Sequence, residues 1–192
     1  QGVTATPLER GISFLQKAMK ISPISAGEAP EQLARLMSNH VFDQKASREV
    51  LINGFEVGAE ALKKSIAKSP QDFRAYLILG RHYNDFYRMS KDPEKLVLAE
   101  DYFKKAQALS PKNQQVYWSL AETRFSQQRF DEALELMKKA VELEPNFGQA
   151  QWYLAMSYKV IGNYRLALET VDNAEKAGLD WKKEPEKLRE VI

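Results

Sequence analysis

Apolar residues recur along this chain with the spacing of an amphipathic helix. In DEALELMKKAVELEP (131–145), small or apolar side chains fall at i, i+3, i+4, i+7, i+8 and i+10, counted from Ala133. That periodicity places them on one face of a helix. Glutamates stand toward the start and lysines toward the end, which suits the helix dipole. Pro145 cannot continue a helix, so the pattern predicts a helix that ends just before it.

The same phrase occurs at several places in the chain. Earlier copies occupy 9–23, 56–70 and 97–111, and each ends in a proline. A fifth copy, LALETVDNAEKAGLD (166–180), has Gly178 where a helix would stop. Each copy carries glycine or alanine at the first offset, so we expect a neighbouring helix to approach closely there.

A second kind of helix alternates with these copies. NQQVYWSLAETRFSQQ (113–128) and GQAQWYLAMSYKVIGN (148–163) are each predicted to hold one, and they align without a gap at an offset of 34 residues. The aligned pairs are Tyr117/Gln151, Trp118/Trp152, Leu120/Leu154, Ala121/Ala155, Phe130/Tyr164 and Ala133/Ala167. A period of 34 is the length of one helix–turn–helix unit in a solenoid. One hairpin cannot bury its apolar face alone, and stacking builds a continuous core.

These motifs resemble the tetratricopeptide repeat (TPR) family. The pattern Tyr76-x2-Leu79-Gly80-x2-Tyr83, Ala99-x3-Phe103 and Pro111 matches its signature, with tyrosine in place of tryptophan. The resemblance implies an all-α, TPR-type helix–turn–helix solenoid, a right-handed superhelix, with a capping helix at its C-terminal end.

We expect a single domain over 1–192, with recognisable repeats at 73–111, 114–147 and 148–179. Residues 1–70 form a degenerate helical lead-in, with helices predicted at Leu8–Ile21, near Glu28–Val41 and near Ser47–Lys68. Residues 181–192 are predicted to cap the last repeat with a short polar helix from about Pro185, against which Trp181 packs.

The spacing of the prolines marks one irregularity. Pro70 and Pro111 lie 41 residues apart, seven more than the repeat length. The excess falls around YRMSKDPEK (87–95), which predicts a long first helix and an enlarged turn.

Composition narrows the function classes. The net charge is +2 on 28 basic and 26 acidic residues. This balance indicates neither nucleic acid nor an anionic membrane surface as a binding partner. The chain has no cysteine, which excludes disulfides and thiolate sites and favours an extracytoplasmic location, periplasmic or membrane-associated, over the cytoplasm. No apolar run approaches the roughly 20 residues of a membrane span. Because the chain begins at Gln1 rather than Met, we expect a processed protein or part of a longer one.

The sequence gives little sign of catalysis, so we expect no enzyme, metal or cofactor. No HExxH, CxxC, GxSxG or phosphate-loop motif is present. His40 and His82 are interpreted as surface or half-buried imidazoles, because a metal site needs more ligands at fitting spacing. The acid pairs Glu142/Glu144 and Asp131/Glu132 are expected on solvent faces.

Partner binding is a stronger prospect. In the TPR family the first helix of each repeat lines a concave groove, and the resemblance implies peptide binding by a second stripe on those helices. Its residues here are Arg74, Leu77, Arg81, Asn84, Gln115, Trp118, Glu122, Phe125, Gln149, Trp152, Met156 and Lys159. Several belong to the types enriched at interface hot spots.

Two interpretations of this stripe stay open. Trp118 and Trp152 could form a rigid apolar wall, with Arg74, Arg81 and Lys159 as anchors for carboxylates. Alternatively, the tryptophans wedge between neighbouring helices and only pack. The lysine-and-asparagine clamp of chaperone-binding TPR proteins is not recognisable, which disfavours a chaperone-tail adaptor.

The sequence thus predicts a non-enzymatic module that binds a protein or peptide segment in its concave groove, without nucleic acid and without direct membrane insertion. One alternative is a self-assembling scaffold, a homo-oligomer. Another rests on AEDYFKKAQALSPKNQQVYWSLAE (99–122), which is similar to the soluble TPR tail of bacterial O-antigen ligase/polymerase-type membrane proteins. It implies the extracytoplasmic end of a membrane glycan-assembly protein.

Overall fold

The computed structural model describes residues 5–21, 25–146 and 148–178. Every regular element in these ranges is an α-helix. The helices are α1 (Pro7–Ile21), α2 (Ser25–Asn39), α3 (Arg48–Lys68), α4 (Phe73–Ser90), α5 (Glu94–Leu109), α6 (Gln114–Ser126), α7 (Phe130–Leu143), α8 (Gly148–Val160) and α9 (Tyr164–Lys176). The predicted all-α fold is confirmed, and the predicted helices of the lead-in correspond to α1, α2 and α3.

The helices pack in chain order within two compact units. One unit spans Gln1–Leu109 and contains α1 to α5, and the other spans Ser110–Ile192 and contains α6 to α9. In each unit a helix packs mainly on the next one along the chain, and in the first unit α2 also contacts α4. This helix–turn–helix stacking within each unit is the solenoid arrangement that the repeats predict. The predicted repeat boundaries stay predictions.

Side-chain caps fix where several helices begin. Ser47, Asp72 and Asn163 each stand just before a helix and accept a hydrogen bond from a backbone N–H group of its first turn, at 3.1–3.2 Å. Such caps satisfy amide groups that have no partner inside the helix.

The helix ends agree with the predicted stops. α3, α5 and α7 each end two residues before a proline. Gly178 lies just beyond α9 with φ +67°, a left-handed conformation that glycine adopts without the steric cost of a side chain.

The prolines also take part in a repeated tie that the sequence did not reveal. Six residues after each of three prolines, a side chain near the start of the following helix donates a hydrogen bond to the proline carbonyl. The pairs are Tyr76–Pro70 (3.1 Å), Tyr117–Pro111 (2.7 Å) and Gln151–Pro145 (3.1 Å). The hydrogen bond links the turn to the start of the next helix. Tyrosine is the donor in two of the pairs and glutamine in the third.

Small residues give the close helix approach that their positions predict. A Cβ atom on Gly58 of α3 would lie 2.7 Å from Cε1 of His82 on α4. Gly80 lies outside the repeated phrase and makes a similar approach, since a Cβ atom on it would lie 2.6 Å from Cε1 of Phe103. Ala133, at the first offset of its phrase, is fully buried.

The irregular spacing between Pro70 and Pro111 is absorbed by helix, not by the turn. α4 has 18 residues against 13 in α6, and α5 has 16 against 14 in α7. The turn at 91–93 has three residues, as does the turn at 127–129. The prediction of a long first helix is therefore confirmed, and the prediction of an enlarged turn is wrong. The turn stays short because Lys91 adopts φ +62° and donates its N–H to the Tyr87 carbonyl at 2.7 Å, which closes α4 abruptly.

The predicted capping helix at 181–192 and the packing of Trp181 fall outside the described residues. None of the described helices combines the length and apolarity needed to cross a membrane.

Candidate partner-binding site

In the second unit, α6 and α8 enclose a small apolar pocket of about 110 Å³, here called the α6/α8 pocket. It is lined by Trp118, Glu122 and Phe125 of α6, Met137 of α7, and Tyr153, Met156, Ser157 and Val160 of α8. Glu122 is the one charged residue of that lining. The pocket brings together four residues of the predicted stripe: Trp118, Glu122, Phe125 and Met156.

The two predicted tryptophans are joined through Tyr153, which is not part of the predicted stripe. Trp118 stacks on Tyr153 with ring centroids 5.3 Å apart and planes 13° apart. Trp152 meets the same ring edge-on, at 5.1 Å and 82°. Both tryptophans are half-buried. Each therefore packs against its neighbour and still presents surface, so elements of both interpretations are present.

The interior side of the pocket is well fixed. Met137 is 2% exposed, and Ser157 is 1% exposed and donates its hydroxyl to the Tyr153 carbonyl at 2.7 Å. Val160 stands on the outer side with 54% of its surface exposed. The pocket therefore has a buried floor and, at Val160, a side that is open to solvent.

Beside the pocket, one face of α6 lies in the core of the second unit. Leu120, Ala121 and Arg124 are buried, at 3%, 0% and 5% exposed. Arg124 compensates its buried charge through Glu132, with Nε 3.4 Å from a carboxylate oxygen, and through the Gln127 side chain at 2.9 Å. A buried guanidinium needs such partners to offset the hydration that it loses on burial.

The first unit carries a larger and more polar groove of about 560 Å³ between α2 and α4, here called the α2/α4 groove. Its lining is Glu28, Glu31, Gln32, Ala34, Arg35 and Ser38 of α2, with Ile78, Arg81, His82 and Asp85 of α4. Arg81 is the one member of the predicted stripe among them.

The α2 residues of this groove were not predicted as site residues, because α2 lacks the TPR first-helix motif. The spacing of Glu28, Glu31, Gln32, Arg35 and Ser38 follows one helical face and could have marked it.

The other predicted residues differ in how much surface they offer. Arg74 and Gln115 are exposed and Lys159 is half-buried, whereas Leu77 and Asn84 are 5% and 4% exposed. The side chain of Gln149 lies outside what the structure describes. Partner contact at these positions stays a prediction.

The expectation of a surface or half-buried imidazole is wrong for His82. The residue is 2% exposed, and its Nε2 donates to the Phe55 carbonyl at 2.8 Å. Burial lowers the pKa of His82 from 6.5, while the Phe55 carbonyl and the Asp85 carboxylate oppose that shift. The imidazole fits inside because α3 presents Gly58 to it.

For His40 the expectation is confirmed. It is half-buried at the end of α2, and its Nδ1 lies 2.8 Å from the Leu36 carbonyl. The predicted acid pairs Glu142/Glu144 and Asp131/Glu132 are exposed. Within the described ranges, no group of three or more His, Asp or Glu side chains is placed to share a metal ion.

Two family models, both described as tetratricopeptide repeat, match the chain. One covers residues 94–146 and the other covers residues 124–189. Over residues 94–189, the chain belongs to the tetratricopeptide repeat family. TPR proteins are in general protein-interaction or scaffold modules rather than enzymes.

Similar solved structures confirm the TPR-type fold over a longer part of the chain. A thermophilic TPR protein from Thermus thermophilus is 22% identical, with 94% of this chain and 86% of that chain covered and a TM-score of 0.68. MamA from Desulfovibrio magneticus RS-1 is 14% identical, with 94% and 100% covered and a TM-score of 0.58. Another MamA structure is 19% identical, with 91% and 95% covered and a TM-score of 0.60.

No curated protein matches the sequence. The comparisons give no support to the narrower resemblance to the O-antigen ligase tail.

Proposed function

We propose that this chain is a protein-interaction module that binds a segment of a partner protein at the α6/α8 pocket. The observation that carries the proposal is an apolar, preformed pocket bordered by half-buried tryptophan, phenylalanine and methionine side chains. Interface hot spots favour such residues in well-packed pockets that exclude water. Because helices hold the side chains in place, little ordering entropy opposes binding.

Affinity capture from the source cells tests the proposal. Val160→Trp fills the accessible side of the pocket without changing a buried residue. Val97→Trp is the matched control, since Val97 on α5 is 57% exposed against 54% for Val160. We expect the partner to be lost with Val160→Trp and retained with Val97→Trp, while circular dichroism shows both variants folded. Equal capture by both variants would contradict the proposal.

Self-association is a second candidate, favoured by the outer face of α1. Phe14 and Ile21 are 70% and 81% exposed, and they lie seven residues apart on one face of that helix. Exposed apolar residues grouped in this way are typical of contact surfaces. Light scattering over a concentration series should show a mass that rises for the unaltered chain and not for Phe14→Ser/Ile21→Ser. A monomer mass at every concentration would exclude this candidate.

A further inference from the structure

The outward side of α1 alternates cationic and apolar side chains. Four exposed residues lie three or four positions apart along the helix, which places them on one narrow stripe. They are Arg10, Phe14, Lys17 and Ile21. Phe14 and Ile21 are 70% and 81% exposed, and Lys20 is exposed beside the stripe. These five residues are called the α1 outer face.

The acidic side chains of α1 and α2 lie away from this face. Glu9, the one acid of α1, is half-buried, and its carboxylate accepts a hydrogen bond from the Thr6 backbone N–H. Glu28 and Glu31, the acids of α2, line the α2/α4 groove on the side toward α4. The α1 outer face therefore combines three cationic side chains with two apolar ones and has no acid. The net charge of +2 does not reveal this patch, because acids elsewhere balance its cations.

The α1 outer face is separate from the groove that α1 forms with α3. That groove encloses about 430 Å³, and its α1 lining consists of Glu9, Ile12, Ser13 and Gln16. The outer face contributes no residue to it. Protein partners gain most of their affinity from side chains seated in well-packed pockets. A lipid surface needs no pocket, because headgroups and acyl chains rearrange around side chains that protrude from a helix.

A two-fold contact with a second copy does not suit this face either. In such a contact the same patch is used by both copies. The cations of one α1 would then face those of the other, and like charges opposed across an interface repel. Self-association through this face would therefore need a different surface on the second copy.

We propose that the α1 outer face docks this chain on an anionic lipid surface. Phe14 and Ile21 enter the boundary between headgroups and acyl chains. The charged ends of Arg10, Lys17 and Lys20 bind the lipid phosphates, while their aliphatic stems lie along the apolar boundary. The proposal is independent of the α6/α8 pocket, which belongs to the other unit.

The apolar and cationic contributions have to act together. Leu8, Ile12 and Leu15 form the inner side of α1 and are at most 8% exposed, so the lipid meets only the two apolar residues of the outer face. One weak apolar anchor gives marginal, reversible membrane binding, and stable attachment takes a second signal such as a basic patch. Each lysine or arginine near an anionic surface strengthens binding about 5-fold. Binding should therefore require anionic lipid.

Co-sedimentation of the full chain with lipid vesicles is the direct test. We expect the chain to bind vesicles of phosphatidylcholine with about 30% phosphatidylglycerol and not vesicles of phosphatidylcholine alone. Raising the salt from about 0.1 M to about 1 M shortens the Debye length from about 10 Å to about 3 Å and should release the chain. Equal binding to both kinds of vesicle, or binding to neither, would overturn the proposal.

A charge reversal tests whether the cations act at this face. Lys17→Glu should weaken binding to the anionic vesicles about 25-fold, because it replaces an attracted charge by a repelled one. Lys112→Glu makes the same change of net charge at an exposed position outside α1 and should have little effect. Equal losses would show attraction by the whole chain instead of docking through α1, and would contradict the proposal.

An apolar pair of variants tests whether side chains enter the lipid. Phe14→Ser/Ile21→Ser should weaken vesicle binding about 10- to 100-fold. Phe42→Ser is the control, because Phe42 is 76% exposed and lies outside α1. Circular dichroism should show every variant folded, since each replaces an exposed residue. Unchanged binding of the double variant would overturn the proposal. So would a chain whose mass rises with concentration through this face while it ignores vesicles, which would assign the face to a second copy.

Discussion

At the scale of single residues, the contact between Gly58 and His82 shows what sequence patterns leave out. Periodicity places Gly58 at a position of close approach, and that expectation is confirmed. It does not reveal which residue of α4 meets the glycine. His82 is buried because Gly58 leaves room for the ring and the Phe55 carbonyl accepts its N–H, and both features come from another helix.

Gly58→Ala should destabilise the fold. Its new Cβ atom would lie 2.7 Å from Cε1 and 2.8 Å from Nε2 of His82, which is held by the hydrogen bond to Phe55. Overpacking of this kind costs about 1–3 kcal/mol, which is equal to or larger than the roughly 1 kcal/mol that alanine gains over glycine in a helix, and urea denaturation would measure the net loss.

Gly11→Ala is the control for that substitution. There the new Cβ atom would lie 3.1 Å from the end of the flexible Leu36 side chain, and alanine favours the helix by about 1 kcal/mol. We expect a neutral or stabilising effect. Equal losses at both glycines would show that the His82 contact is not the cause.

His82 should make stability fall in mild acid. Its pKa in the folded protein lies below 6.5 because burial disfavours the charged ring. As pH drops below 6.5, the unfolded chain gains a proton that the folded chain does not, so the free energy of unfolding decreases. The decrease ends once pH passes below the folded pKa. NMR titration of the His82 ring should give a midpoint below 6.5, and a midpoint above that value would contradict this account.

At the scale of helices and turns, the sequence predicted which helices exist and in what order better than it predicted the lengths of helices and turns. The apolar period and the prolines predict α5, α7 and α9 because these helices are amphipathic and carry their own stop signals. The turn at 91–93 was misjudged because surplus residues in a repeat can lengthen helices as readily as loops. α2 was located as a helix, but its contribution to the α2/α4 groove depends on packing beside α4, which its own sequence does not encode.

Removing one of the hydrogen bonds to a proline carbonyl should lower the free energy of unfolding by a modest amount. Tyr117→Phe removes the 2.7 Å hydrogen bond to the Pro111 carbonyl and keeps the ring. A hydrogen bond of this type contributes about 0.5–1.5 kcal/mol, so chemical denaturation should show a loss in that range. Tyr164→Phe, at a position 52% exposed, is the control and should have almost no effect. If the two variants lost the same stability, the tie would have no special role.

At the scale of the whole molecule, we expect a substitution in one repeat to change the stability of that repeat and its neighbours much more than that of distant repeats. In repeat proteins each repeat contacts only its neighbours, so local changes remain largely local. Gly58→Ala should therefore lower amide hydrogen-exchange protection in α3 and α4 far more than in α8 and α9. An equal loss in all four helices would indicate that the chain unfolds as one cooperative body.

The candidate site was partly predictable at this scale. Resemblance to the TPR family selected Trp118, Glu122, Phe125 and Met156, which the structure brings to one pocket. It could not select Tyr153 or Val160, because their place in the lining depends on how α6 packs beside α8.

Methionine methyl NMR of the full chain tests the central claim, that a partner occupies the α6/α8 pocket, most directly. The chain has five methionines, of which Met137 and Met156 line the pocket and Met37 lies in the core of the first unit. On addition of a peptide from the captured partner that binds the chain, we expect the Met137 and Met156 methyl signals to shift and that of Met37 to stay in place. Shifts confined to the other methionines, or unchanged signals at a saturating concentration of a peptide that binds, would contradict the account.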